Sequence, residues 1–238
     1  MDKQYQVTSL DNSMFILQDE DRKIRFKYTQ ATTENRPLLI IMHGQGYALT
    51  PAKFTSPNWN VLCPMDDFGY KKLGSWFLGE NGDFFWIDAI KFLIAWVKKK
   101  SNHGRLYFWG SSMGGYGAIL HGRLNFARGV YANIPQTVLL GSKFSEYGAK
   151  KYFELIFGNE ENNKFNNLCN LFDTRTSTKY YLCFNQLEGG NYFEEQGLKF
   201  VEHLNKLKNK MYVEIRPYEK HAKNHSISQA IELFKKYD

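Results

Sequence analysis

Ser112 stands in Gly110-Ser111-Ser112-Met113-Gly114, and a serine framed by glycines at this spacing suits nucleophilic attack. A serine hydroxyl is a weak nucleophile by itself. It needs a base to take its proton and a backbone that holds it clear of its surroundings. Flanking glycines allow the sharp turn in which strand and helix run close together, leaving the hydroxyl at the apex. Random placement in this composition would give about 0.08 such motifs, so context decides its weight. Here the context fits: the apolar run Arg105-Leu-Tyr-Phe-Trp109 precedes the motif and a helical pattern follows. Ser111 carries the same hydroxyl but occupies the variable position. A second pattern, His43-Gly44-Gln45-Gly46-Tyr47, follows another apolar run about seventy residues upstream. Acyl chemistry at Ser112 produces a negative oxygen, which preorganised N–H donors must receive.

The elements that would position these residues can be read from hydrophobic patterning. Segments 5–8, 13–18 and 23–28 read as antiparallel strands; in the third, Ile24, Phe26 and Tyr28 alternate with Lys23, Arg25 and Lys27. From 37 onward the runs are continuously apolar, as in strands covered on both faces: 37–42, 60–65, 105–109 and 179–184, with 212–216 as the last. Helical patterns lie between them. Asp83 reads as the cap of a helix with Phe84, Ile87, Ile90, Ile94 and Val97 on one face. Others cover about 113–124, 193–207 and 227–237. The alternation predicts an α/β fold in a single domain, 1–238, with a mainly parallel sheet, antiparallel N-terminal strands and helices on both faces. Residues 136–157 read as helical and 159–170 as polar and irregular. Together 136–175 are expected to form a small cap insertion over the carboxyl ends of the strands.

With these motifs in this order the chain resembles the α/β-hydrolase superfamily over nearly its whole length. The resemblance implies oxyanion donors at the backbone N–H of Met113 and of a residue in the 43–46 loop, for which Gln45 is chosen. His43, Gly44, Gly46, Tyr47 and Ser111 then become candidate substrate-binding residues. The resemblance also implies a histidine base in the loop after the last strand, where His221 and His225 both stand. A base immediately before the final helix suits His225, with His221 as a binding residue or a surface histidine. The acid is expected after the strand 179–184. No aspartate occurs there, and Glu188, followed by two glycines, is the candidate. Glu194 and Glu195 read as first-turn helix residues, and a displaced acid such as Asp173 is the alternative.

A narrower likeness covers Tyr107 to Gly141, including Gly-Ser-Ser-Met-Gly-Gly-Tyr-Gly-Ala-Ile-Leu and Asn133-Ile-Pro-Gln136. It is similar to serine-dependent capsule O-acetyltransferases and related bacterial proteins of surface-polysaccharide biosynthesis. That resemblance implies acetyl-CoA as acyl donor, no tightly bound cofactor and a polysaccharide hydroxyl as acceptor. Ester hydrolysis, by a carboxylesterase or glycan deacetylase, is the competing reaction, and a non-catalytic binding protein of this fold is a third reading.

Composition narrows the setting. The 238 residues carry 43% hydrophobic and 23% charged side chains, the balance of a globular protein. A formal charge of +7 favours anionic partners, such as an acidic glycan or a phosphorylated donor. The basic residues are dispersed apart from Lys98-Lys99-Lys100, which reads as the end of a helix, and no nucleic-acid motif occurs. Neither a signal peptide nor a membrane span is apparent, and Cys63, Cys169 and Cys183 lack metal-ligand spacing. A cytoplasmic protein with no metal is expected.

Overall fold

The computed structural model describes residues 5–158, 163–222 and 226–237. Among them, nine strands form one sheet: β1 (Gln6–Ser9), β2 (Met14–Asp19), β3 (Arg22–Thr29), β4 (Leu38–Met42), β5 (Asn60–Pro64), β6 (Leu106–Ser111), β7 (Gly129–Asn133), β8 (Lys179–Asn185) and β9 (Lys210–Arg216). Their spatial order is β1-β2-β3-β5-β4-β6-β7-β8-β9. The first three are antiparallel and β3 meets β5 antiparallel, whereas every pair from β5 through β9 is parallel. The expected α/β class and mixed sheet are therefore present.

The strand period of two sorts the apolar runs onto opposite faces. Leu38, Ile40, Met42 and Phe108 join a core with α1 (Trp86–Ser101), α2 (Met113–Leu124) and α4 (Lys199–Lys206). Leu39, Ile41, Tyr107 and Trp109 pack on the other face with Trp59 and α5 (Ile227–Tyr237). Both faces are covered, so β4, β5 and β7 are buried along their whole length.

Four details depart from the sequence reading. The strand β7 was not foreseen, because Val130-Tyr-Ala132 between a glycine and an asparagine is too short a run to stand out. Asp83 does not cap α1; it pairs with Arg22, and the helix starts at Trp86 behind Phe85. Residues 136–142 are not helical. There the Gln196 Oε1 accepts the N–H groups of Thr137 (2.6 Å) and Val138 (2.8 Å), and Val138 bridges Asn167. A wide helical turn at Ser145–Ala149 then leads into α3 (Lys150–Phe157). Phe153, Ile156, Phe157, Phe165 and Leu168 of this segment are buried in the main core. The helix read over 193–207 likewise begins as a wide turn, Phe193–Leu198, before α4.

Candidate active site

At the carboxyl end of β6 the chain turns so tightly that Ser112 takes φ 55° and ψ −121°. Such a backbone is unfavourable for a side-chain-bearing residue and needs its surroundings to enforce it. The Ser112 N–H donates to Asn133 O at 2.9 Å, and the flanking glycines give the enforcement. A Cβ on Gly110 would lie 1.9 Å from Gly114 O, and one on Gly114 would lie 2.1 Å from Met42 O. Strand, turn and helix thus meet at backbone contact, as the motif requires.

The hydroxyl lies in a chain of polar groups. Ser112 Oγ–H donates to His221 Nε2 at 2.8 Å, and His221 Nδ1–H donates to Glu188 Oε1 at 2.5 Å. Glu188 is largely covered, at 8% side-chain exposure, while His221 remains open at 35%. The two loops are brought together by the β8–β9 ladder, which continues past the strands: Gln186 N–H donates to Arg216 O at 2.7 Å and Leu187 N–H to Tyr218 O at 3.1 Å. Asn185 Nδ2 adds a bond to Lys220 O at 2.7 Å. This pairing runs the start of the 216–226 loop back over β8, which sets His221 beside Glu188. The sequence reading gave His221 a binding role and favoured His225, which lies outside the described residues. Tyr192 meets the His221 ring edge-on, with centroids 5.2 Å apart.

The 43–47 loop faces the same point and is braced from behind. His43 Nε2 accepts the Asp66 N–H at 2.8 Å while its Nδ1–H donates to Gly44 O at 2.8 Å. Those bonds fix a neutral tautomer, and burial holds the imidazole pKa below its ordinary value. Asp66 is fully buried; its carboxylate accepts from Ser75 N–H (2.7 Å), Ser75 Oγ–H (2.9 Å) and Phe77 N–H (2.9 Å). Burial raises this carboxyl's pKa, and the three donors oppose that rise. Sequence reading did not single out Asp66, since one aspartate in a loop carries no spacing signal. Within the 43–47 loop, the Gly46 N–H is committed to Leu73 O (2.8 Å) and the Tyr47 N–H to Gly44 O (3.2 Å). Neither can serve an oxyanion, which directs attention to Gln45. Opposite it, Met113 opens α2, where backbone N–H groups lack intrahelical acceptors.

A cleft of about 530 Å³ is lined by His43, Gly44, Gln45, Tyr47, Ser111, Ser112 and His221, and Trp109 and Ile134 form part of its apolar wall. Gly46 is not part of that lining. Tyr47 is 64% exposed at the rim. A larger cavity of about 840 Å³ opens at the amino ends of the strands, beside Arg36, Trp59 and Arg105. It is lined by none of the candidate residues, and the smaller cleft is the candidate site. Asp173 is remote, 84% exposed and 3.7 Å from Arg123. Glu194 and Glu195 stand in the first turn after Tyr192. Among the described residues no group of three His, Cys, Asp or Glu side chains could hold a metal ion, and no helix is long and apolar enough to cross a membrane.

Gln136 also reaches Ser112: its Nε2 lies 3.1 Å from Ser112 Oγ. It entered the sequence reading as the end of Asn133-Ile-Pro-Gln136 and the start of the 136–157 helical pattern, with no role at the site. The missed strand β7 is what delivers it.

No protein-family model matches the chain, and no curated protein matches it. Solved structures do. An S-formylglutathione hydrolase from Agrobacterium tumefaciens is similar at TM-score 0.65 and 15% identity, over 91% of each chain. Acetyl xylan esterase 1 from Thermoanaerobacterium sp. JW/SL YS485 gives 0.64 and 15%, over 100% of this chain and 89% of the other. The capsule O-acetyltransferase of Neisseria meningitidis serogroup A gives 0.66 and 17%, over 96% and 95%. A mutant of that acetyltransferase in complex with CoA gives 0.63 and 17%, over 94% of each. The chain has the α/β-hydrolase fold.

Proposed function

We propose that this protein is a serine-dependent acyltransferase, moving an acetyl group from acetyl-CoA to a hydroxyl of a bacterial capsular or surface polysaccharide in the cytoplasm. The observation that carries the reading is the continuous relay from Ser112 Oγ through His221 to Glu188. In the first half-reaction, Ser112 Oγ attacks the thioester carbon as its proton passes to His221 Nε2. The carbon–sulfur bond breaks, and His221 returns the proton to the departing thiolate. Glu188 keeps the proton on Nδ1 and steadies the imidazolium. The oxyanion of each tetrahedral intermediate is received by the N–H groups of Met113 and Gln45. In the second half-reaction a sugar hydroxyl attacks the acetyl-serine, gives its proton to His221, and Ser112 Oγ leaves and recovers that proton.

Transfer is favoured over simple hydrolysis by the likeness to the capsule O-acetyltransferase, including its CoA complex, over almost the full length of both chains. The +7 charge suits an anionic glycan and a phosphorylated donor. Hydrolysis of an acetylated glycan is the second reading, favoured by the likeness to an acetyl xylan esterase.

The deciding measurement is intact mass after brief incubation with acetyl-CoA, wild type beside Ser112→Ala. One added acetyl group in wild type alone is the expected result. No adduct and no CoA release, while an aryl acetate is still cleaved, would replace transfer by hydrolysis.

A further inference from the structure

Gln136 is 1% exposed, and every polar atom of its side chain is engaged. Trp76 Nε1 lies 3.1 Å from Gln136 Oε1. An indole N–H can only donate, so this contact fixes which way the amide points. The NH₂ group must then face Tyr192 and Ser112. Tyr192 Oη, 3.0 Å away, donates its own proton to Ile134 O at 2.9 Å, so it accepts from Gln136. Burial pushes the Tyr192 phenol well above its usual pKa, with the Glu188 charge adding to the effect, so that proton stays in place. The remaining amide hydrogen points at Ser112 Oγ, 3.1 Å away.

The orientation of the hydroxyl follows from this. An amide NH₂ cannot accept a proton, so it occupies a lone pair of Oγ and excludes the hydroxyl hydrogen from that side. The hydrogen is left to His221 Nε2 at 2.8 Å. Backbone strain at the same place points the same way. Ile134, a β-branched residue, is held at φ 40°. Its N–H donates to Cys183 O at 2.7 Å and its carbonyl accepts from Tyr192. The turn those bonds enforce carries the chain from β7 back to the elbow and aims Gln136 at it.

We infer that Gln136 is a catalytic residue of Ser112's chemistry, a neutral donor that directs the hydroxyl proton to His221 and stabilises the charge that builds on Oγ. The inference rests on Ser112 being the nucleophile, as proposed above. The Gln136 bond is strongest when the proton has moved to His221 and the new carbon–oxygen bond is incomplete. It weakens once Oγ becomes an ester oxygen. It therefore favours the transition state over both the resting and the acylated enzyme. The same charge reappears on Oγ when the acyl group leaves, so both half-reactions draw on it.

The test uses the full chain with Gln136→Met, which keeps length but removes the donor, and Gln136→Glu, which keeps shape but offers an acceptor to the hydroxyl. Labelling of Ser112 by a fluorophosphonate and the burst and steady-state phases of p-nitrophenyl acetate cleavage are followed. For Gln136→Met, acylation and deacylation rate constants should each fall about 10- to 100-fold with little change in substrate binding. Gln136→Glu should fall further. Wild-type labelling rates in either folded variant would overturn the inference. A measurement independent of folding at 136 compares the glutamine side-chain amide protons of wild type and Ser112→Ala by NMR. One of them should move when its acceptor is removed, and an unchanged set would also overturn it. Persistence of labelling in Ser112→Ala would instead bring down the nucleophile assignment itself.

Discussion

The side-chain amide of Asn185 donates to the carbonyl of Lys220 at 2.7 Å, tying the end of β8 to the residue just before His221. Glu188 follows Asn185 on one side of this tie, and His221 follows Lys220 on the other. The tie therefore helps fix the distance between Glu188 and His221 without touching either. Asn185→Ala should leave the protein folded and lower kcat for an aryl acetate about 10- to 100-fold, since small misplacements of reacting groups have effects of that size. Unchanged kcat would show that the backbone ladder alone holds the loops.

Replacing Glu188 by Gln keeps its shape but removes the charge that faces His221 Nδ1. The loss expected in kcat is about 10³- to 10⁴-fold, the scale set by the equivalent change in a serine–histidine–aspartate triad. His221→Ala should lose as much. If His221→Ala remains active while His225→Ala does not, the base is His225 after all.

The glycines of the elbow should be intolerant, and a nearby glycine should not be. In Gly114→Ala the new methyl would meet Met42 O at 2.1 Å and His43 O at 2.6 Å, both backbone atoms with no room to yield. Destabilisation of about 3 kcal/mol or more, read from urea midpoints, is expected. A Cβ on Gly189, beside Glu188, would meet nothing within 4 Å. Gly189→Ala should stay within about 0.5 kcal/mol of wild type.

His121 supplies a pH signature. It is fully buried on α2, its Nε2–H donates to Phe77 O at 2.8 Å, and burial lowers its pKa from 6.5 to about 4. Between those values the unfolded chain binds a proton that the folded chain refuses. Stability therefore falls as pH drops through 6.5 toward 4, by about 2 kcal/mol between pH 7 and pH 5. His121→Gln should flatten that part of the stability profile. An equally steep profile would assign the dependence elsewhere, with His43, also held low by burial, the first place to look.

Legibility followed steric necessity. The elbow could be read because no residue but glycine fits at 110 and 114, and because β6 before it is a continuous apolar run. Glu188, which the structure brings to His221, could be named as a candidate from its position after β8. The candidate base was harder. His221 and His225 are four residues apart in a polar loop, and what places His221 is a ladder of main-chain bonds from Gln186 and Leu187 that no side chain announces. The short strand β7 was missed for want of length. With it went Gln136, whose environment of Trp76, Tyr192 and Ser112 is assembled from distant parts of the chain. Asp66 escaped for the same reason.

The elbow has a practical use beyond the reaction. Ser112 is located by main-chain constraints: its own left-handed backbone, the N–H bond to Asn133 O and the contact of Gly114 with Met42. None of these involves the hydroxyl. Ser112→Ala should accordingly preserve the shape of the cleft while disabling it, which turns the protein into a receptor that holds its natural ligands without consuming them. Screened against glycans and acyl thioesters, that inert receptor could identify the molecules the cleft is shaped to grip.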